Sequence, residues 1–432
     1  MRLFSSRRKS FKDLTSVFSA TVATRVIDLA RGFVVAKYLG PGNLGILRAV
    51  QLISMLDKFG NMGFKMVATR EITFLRGKGE GKKELSVRNV AYSGEMVLTV
   101  VLFLASLASL FFFGSGEVLL AIVLASVGLL FSKISRIFEA EAIINKQFVL
   151  YSKVIFWAGL FNSAAIVATV PSLGMHAVLA MSTVTALLTS LMYLRRLDFP
   201  FRFSLERAEL FRQLRIGIPL SVATLAYGSY RYAERVSVGL ILGVTALGFY
   251  SLAAMAMDQL LNLFLLPVKV RKIDMYEKLG QRRFRDVHRQ VVRETLLLVA
   301  AAVAVVPLSW VGIDIVIETL LPEYAEAALV CKVMVLAVPL RTLSSYMNVI
   351  IVSSSVDRQA VVAPLQFSAT AVFVMGVLAL KHFGMASLLN IVIADISGYA
   401  LYHLAYIVLY RKCFVNDYLR GPSVVMAAAG PE

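Results

Sequence analysis

Arg25, Asp28 and Arg31 recur at i, i+3, i+6 in a segment otherwise dominated by apolar and small residues. On a helix these three share one side, and Thr21 and Thr24 lie close to it. Arg48, Gln51, Met55 and Lys58 form a second stripe, and Tyr227, Tyr230, Arg231, Glu234 and Arg235 a third. Later apolar segments add Asp258 and Asn262, then Lys332 and Arg341, then Asp395. A charge at the centre of a bilayer costs at least about 2.5–3.5 kcal/mol. Such groups are expected to face water or a partner. Arginine suits phosphate and pyrophosphate, because its planar fork donates two parallel hydrogen bonds and keeps its charge. Arg25, Arg31, Arg48, Arg231, Arg235 and Arg341 are therefore the candidate anion-binding set, with Tyr227 and Tyr230 placed to stack on or hydrogen-bond to sugar. Asp28, Glu234, Asp258 and Asp395 are the candidates for carrying a coupling ion. The competing reading is neutralisation: Arg25–Asp28 and Arg231–Glu234 pair within their helices only to permit insertion. Against it, the arginines outnumber the acids, and Arg48 has no neutraliser on its own helix face.

The elements that must hold these residues follow from composition. The chain is 58% hydrophobic and only 17% charged, with a mean hydropathy of +0.74. A soluble domain carries about a quarter charged residues. Runs such as Met96–Phe113 and Leu296–Ile313 reach the length of about 17–25 residues that spans a bilayer. Apolar length and turn residues predict about twelve helices, over 13–39, 44–73, 88–113, 117–145, 149–171, 175–195, 215–241, 245–268, 291–313, 325–352, 358–380 and 385–410. With the N-terminus inside, Lys and Arg gather in the inner loops and tails, whereas the outer loops hold only Lys381, as the positive-inside rule requires. The expectation is a multi-pass protein of the cell membrane with both termini cytoplasmic. The net charge of +18 then faces anionic lipid rather than nucleic acid. Arg25, Asp28 and Arg31 argue that the first segment is a spanning helix, not a cleaved signal.

Other signals carry less. Cys331 and Cys413 form no CxxC, and the four histidines form no HExxH, so no metal, cofactor or catalytic constellation is expected. The loop RGKGEGKKE (Arg76–Glu84) lacks the spacing of a phosphate loop. Glu139 and Glu141 are expected to pair with Arg136 and Lys146. Lys37, Lys65 and Lys133 are expected to snorkel from helix ends. His403 is expected to pack among tyrosines.

The chain also repeats itself. LG-x-x-x-LG occurs at Leu39–Gly45 and at Leu242–Gly248, 203 residues later. A second echo pairs LGMHAVLA (Leu173–Ala180) with FGMASLLN (Phe383–Asn390). Two parallel repeats predict an all-α membrane fold of two six-helix bundles related by a pseudo-twofold along the membrane normal. The expected parts are an N-terminal lobe over 1–200, a cytoplasmic linker over 201–214, a C-terminal lobe over 215–410 and a cytoplasmic tail over 411–432. At the 203-residue offset Asp28 falls on Arg231 and Arg31 on Glu234, so equivalent turns carry charge of exchanged sign.

AKYLGPGNLGILRAV, DKFGNMGF (Asp57–Phe64), LRIGIPLSVATLAYGSYRYAERVSVGLILGVTALGFYSLA and HFGMASLLN, in that order and spacing, resemble the polysaccharide-transporter branch of the multidrug/oligosaccharidyl-lipid/polysaccharide exporter superfamily. That branch contains the Wzx-type O-antigen flippases, with MurJ-type lipid II flippases as relatives. The family usually has Asp where this chain has Glu234, a departure that keeps the charge. The resemblance implies a flippase that moves polyprenyl-pyrophosphate-linked oligosaccharide to the outer leaflet, with membrane lipids and glycan polymerase or assembly proteins as partners. Two alternatives stay open: an H⁺- or Na⁺-coupled multidrug antiporter of the same superfamily, and a non-transporting membrane component of a glycan assembly complex. The first needs an acid-dominated cavity, and the basic residues dominate here. A membrane enzyme such as a glycan polymerase needs a sizeable outer loop, and these loops are short.

Overall fold

A computed structural model describes residues 2–59, 62–111, 116–145, 147–265, 267–268, 271, 275, 278–279, 281, 283–354 and 356–420; within these, the side chains of 2–22, 25, 54–59, 70, 73–74, 77–78, 220, 223–224, 227, 352–354, 356–362 and 417–420 lie outside the description. Among the described residues all regular structure is helical. Helix α1 (Arg2–Phe59) is followed by α2 (Phe64–Lys78), α3 (Gly81–Ala108), α4 (Gly116–Ile144), α5 (Phe148–Leu173), α6 (Met175–Leu194), α7 (Arg207–Leu242) and α8 (Val244–Phe264). Then come α9 (Phe284–Leu320), α10 (Ala328–Val335), α11 (Ala337–Leu343), α12 (Ser345–Ser354), α13 (Val356–His382) and α14 (Leu388–Tyr410). Nine helical segments among the described residues are long and apolar enough to cross a membrane. The expected spans 13–39, 44–73 and 215–241 lie outside these nine, and they carry most of the charged candidates.

Glycine and proline set the breaks. α1 bends at Gly40 (φ 65°, ψ 174°), followed by Pro41. The expected helix 44–73 is two pieces, because the chain leaves α1 at Phe59 and re-enters helix after Gly63 at φ 81°. The expected helix 325–352 is a 3₁₀ turn (Pro322–Ala327) followed by α10, α11 and α12. Pro339 lies in that run and has no N–H to continue the hydrogen-bond ladder. α2 stops at Gly79 in the left-handed conformation, where the Gly79 and Glu80 N–H groups donate back to Arg76 and Leu75 carbonyls. Ser387 caps α14 by accepting from the Asn390 N–H.

The chain forms two compact units, 1–255 with 317–326, and 256–316 with 327–432. In the first, Ala68, Ile72, Val87, Ala91, Tyr92, Ile137 and Ile144 form a core beside one of Phe138, Ala142, Val154, Tyr193 and Leu197. Phe199, after α6, packs against both Tyr92 and Phe138. Arg202 and Ser204 donate their N–H groups to Asn89 and Ser93 of α3. In the second, Val287, Val291, Tyr346, Ile350, Tyr406, Tyr410 and Phe414 are among the core residues. The surface keeps Leu104, Trp157, Leu296, Leu308, Met375 and Val408 more than half exposed, the pattern of helices whose outer faces meet lipid. This is a multi-pass membrane protein.

Candidate functional site

On α1 the i, i+3 spacing delivers a pair: Asp28 Oδ1 lies 3.2 Å from Arg31 Nη2, both partly exposed. The Arg25 side chain lies outside the described residues. One helical repeat on, past the Gly40 bend, half-buried Arg48 donates from Nη1 to Gln51 Oε1 at 2.8 Å. Gln51, an amide acceptor, holds one arm of the fork in place.

On α7 the expected cluster is split by burial. Tyr230 and Glu234 are buried, while Arg231, Tyr232 and Arg235 are half-buried; the side chain of Tyr227 lies outside the description. Glu234 accepts a hydrogen bond of 2.9 Å from the Tyr250 hydroxyl of α8. The acid is thus tied to a neutral donor across a helix pair. Asp258, further along α8, is half-buried.

In the second unit Arg341 of α11 meets Asp395 of α14 at 3.6 Å, both side chains almost fully buried. The same guanidinium sits over the Tyr399 ring, 3.5 Å from its centroid, a cation–π contact that shares its charge with the ring. One candidate anion binder and one candidate ion carrier therefore pair with each other. His403 packs on Tyr399 and Tyr402, as expected, and its Nδ1 lies 2.6 Å from Ser344 Oγ. Lys332 pairs with Asp314 at 2.6 Å.

The structure holds a second charged system that sequence reasoning missed. Lys133 does not snorkel: it is buried, with Nζ 2.8 Å from Glu95 Oε1. Glu141, expected beside Arg136 or Lys146, has other partners among the described residues. It pairs with Arg88 at 3.2 Å, accepts from Tyr92 at 2.8 Å and from Asn145 at 3.0 Å, and Lys146 lies outside the described residues. Arg88 also reaches Glu84 at 2.8 Å, and Glu84 in turn holds Arg76 at 2.7 Å. Arg88, Tyr92 and Glu95 (i, i+4, i+7) thus face Lys133, Ile137 and Glu141 (i, i+4, i+8) along antiparallel α3 and α4. The available signal was that spacing, with a basic residue followed by an acidic one on each of two consecutive, antiparallel helices.

Where α7 begins, Arg212 forks onto Glu71 of α2 and Glu209 of its own helix. Nη1 donates to Glu71 Oε1 at 2.9 Å, Nε donates to Glu209 Oε2 at 2.8 Å, and Nη2 serves the remaining oxygen of each acid. Partial burial pushes the Glu209 carboxyl up, but hydrogen bonds from Arg212 and Gln213 outweigh it and hold the group below its ordinary value. The same bonds from Glu209 and Glu71 raise Arg212 above the ordinary guanidinium value.

Comparison with known proteins follows from this geometry. Residues 10–271, more than half of the chain, match the model of a family described as polysaccharide biosynthesis protein. No curated protein matches the chain. An inward-facing multidrug resistance MATE family transporter of the MOP superfamily is similar in fold, with a TM-score of 0.67 at 13% identity over 90% of this chain and 94% of that one. The lipid II flippase MurJ in an inward closed conformation gives 0.67 at 14% identity over 93% and 89%. A MOP superfamily transporter from Pyrococcus furiosus, described as having a binding pocket of reversed polarity, gives 0.66 at 12% identity over 94% and 96%.

Proposed function

The chain belongs to the polysaccharide biosynthesis protein family, and from that premise we propose that it moves a polyprenyl-pyrophosphate-linked oligosaccharide from the cytoplasmic to the outer leaflet of the cell membrane. The observation that carries this reading is the placement of Arg31, Arg48, Arg231 and Arg235: half-buried guanidiniums on α1 and α7, which are not among the nine long apolar spans of the described residues. A polar, doubly charged head group cannot cross hydrocarbon unaided, and a set of positioned forks is what a pyrophosphate needs. A drug antiporter of the same fold would instead call for acids facing its substrate. Here Glu234 accepts from Tyr250 and Asp395 pairs with Arg341, while α1 and α7 carry more arginines than acids, so basic charge predominates on these two helices even with Arg31 paired to Asp28. The binding residues are exposed alternately to the two faces of the membrane, and the prenyl tail stays in lipid throughout. The inner half of the cycle begins from the cytoplasmic side, where both termini and the 201–214 linker lie.

Reconstitution into liposomes tests it. A fluorescent polyprenyl-pyrophosphate-linked sugar is supplied on one leaflet, and its arrival on the other is read by quenching. Arg48→Ala and Arg231→Ala should each lower the rate by about tenfold or more, since a charge-assisted hydrogen bond is worth roughly 1.5–3 kcal/mol. Arg48→Lys should recover only part of it, because the fork is lost. Wild-type rates in both alanine variants would assign these arginines to neutralisation instead.

A further inference from the structure

Helix α9 is longer than the hydrocarbon it crosses. Its 37 residues reach about 55 Å at 1.5 Å per residue, against an apolar layer of about 30 Å. The uninterrupted apolar run is Leu296–Ile313. Phe284 to Thr295 therefore extend the helix by about 18 Å before that run begins.

One face of this extension is committed to protein. Val287, Val291 and Leu298 lie in the core of the second unit. Phe284 meets Phe414 edge-on at 6.4 Å, and His288 stacks on Tyr410 at 6.0 Å. The other face is open. Arg285, Arg289, Arg293, Leu296, Ala300 and Val303 follow one another at helical steps of four and three, a single stripe, and all are exposed. The stripe changes from guanidinium to hydrocarbon between Arg293 and Leu296, within about 4.5 Å of helix axis. A bilayer makes the same change where headgroups give way to acyl chains.

Arg271, also exposed, adds to the basic half. Its Nε lies 4.0 Å from Glu294 Oε1, and Arg293 Nη2 lies 3.0 Å from the same oxygen. Two arginines thus share one carboxylate, and Arg289 has no acidic partner among the described residues. Positive charge is left in excess at the start of the lipid-facing surface.

We propose that Arg271, Arg289 and Arg293 form a binding site for the phosphate of an anionic phospholipid in the adjoining leaflet, with its acyl chains lying along Leu296, Leu297 and Val303. A guanidinium fork suits a phosphate. The excess positive charge favours a headgroup without an ammonium of its own. Attraction to an anionic surface is general to basic loops. What marks this place is that phosphate-binding groups stand in line with an exposed apolar stripe, so both ends of one lipid molecule are held. The site depends on membrane insertion alone and not on what the protein transports.

The test titrates the full chain in a non-ionic detergent with phosphatidylglycerol or phosphatidylcholine and counts bound lipids by native mass spectrometry. The first phosphatidylglycerol should bind about fivefold or more tightly than the first phosphatidylcholine, since each basic residue near an anionic surface is worth about 1 kcal/mol. Arg289→Gln with Arg293→Gln should weaken phosphatidylglycerol by about tenfold or more on the same scale and leave phosphatidylcholine unchanged. Arg195→Gln with Arg196→Gln removes two exposed charges after α6 and should change neither. Equal losses in the two double variants would reduce the effect to general surface charge and overturn the proposal, as would no loss in either. One-for-one displacement of phosphatidylglycerol by an equimolar amount of polyprenyl pyrophosphate would make this a loading place for that lipid and overturn the phospholipid assignment. Should the Arg289, Arg293 double variant fail to fold, Arg289→Gln alone breaks no ion pair among the described residues. It then decides by the same readout, with a loss of about fivefold expected and an unchanged affinity overturning the site.

Discussion

Arg341 and Asp395 show what a single charge inside this protein must do. Each side chain is almost entirely buried, and their closest approach is 3.6 Å, with Tyr399 beneath the guanidinium. Breaking a buried ion pair by removing one member costs about 3–5 kcal/mol, because the other charge stays behind. Asp395→Ala should therefore lower the unfolding temperature in detergent markedly. Asp395→Asn keeps the shape and a carbonyl acceptor and should cost less. The pair of variants separates two roles for the acid. If Asp395→Asn stays folded but makes transport insensitive to an imposed proton or sodium gradient, Asp395 carries the coupling ion. If transport and coupling survive, its role is to hold Arg341. Residue types were legible in the sequence here, but pairings only where they are local. Spacing offered Asp28 a local partner on either side, Arg25 or Arg31; the neutralisation reading pairs it with Arg25, and the pair described is with Arg31. Arg341 and Asp395 sit on different helices, and nothing in their spacing reveals that one satisfies the other.

Between elements, the antiparallel charged seam of α3 and α4 fixes register. Sliding one helix by a turn would set Glu95 away from Lys133 and Arg88 away from Glu141 together, breaking both inter-helix pairs. Each helix runs basic then acidic along the chain, Arg88 to Glu95 and Lys133 to Glu141, so the antiparallel direction brings unlike charges together at both levels. A seam of this kind constrains more than it stabilises, since buried pairs can often be replaced by apolar residues at no loss. Glu95→Leu or Lys133→Leu alone should destabilise the protein by about 3–5 kcal/mol, and the double variant should recover most of it. Thermal unfolding of the four proteins checks this; additive losses would mean that the two side chains do not depend on one another. The sequence made most of the helices visible through apolar length. It hid their interruptions before Phe64 and at Leu336 and Ser344, because DKFGNMGF and VPLRTLSS look continuous with their flanks. The first break shows in the left-handed backbone of Gly63, and the second run contains Pro339, which has no N–H for the ladder. It also hid the seam, because Lys133 was read against lipid instead of against its neighbour.

At the scale of the molecule, the repeat was legible as a count and a direction. An even number of spans in each half implies parallel halves, and the crowding of Lys and Arg into alternate loops implies an inside and an outside. What pattern alone could not disclose is that the repeated turns meet, Gly45 against the Val244 carbonyl and Gly248 against that of Pro41, since identical sequence is compatible with turns far apart. Orientation now decides energetics. An inside-negative potential pushes anions outward by about 2.3 kcal/mol per charge per 100 mV. A pyrophosphate bearing two charges would gain about 4–5 kcal/mol at that potential, more than a thousandfold in equilibrium ratio, without nucleotide hydrolysis. The potential drives export only with the basic loops in the cytoplasm, so orientation and voltage response are measured together. On intact cells an impermeant maleimide should label Asn43→Cys and Phe383→Cys, both exposed, and leave Lys82→Cys and Glu206→Cys unmodified until the membrane is opened. In liposomes of that same orientation, a potential negative on the cytoplasmic side should speed delivery of the pyrophosphate-linked sugar to the opposite leaflet, and reversing its sign should slow it. Labelling in the reverse pattern would turn the field against export and leave an ion gradient as the required drive. Correct labelling with indifference to the potential would mean that the arginines neutralise the head group before it moves, so that no net charge crosses the field.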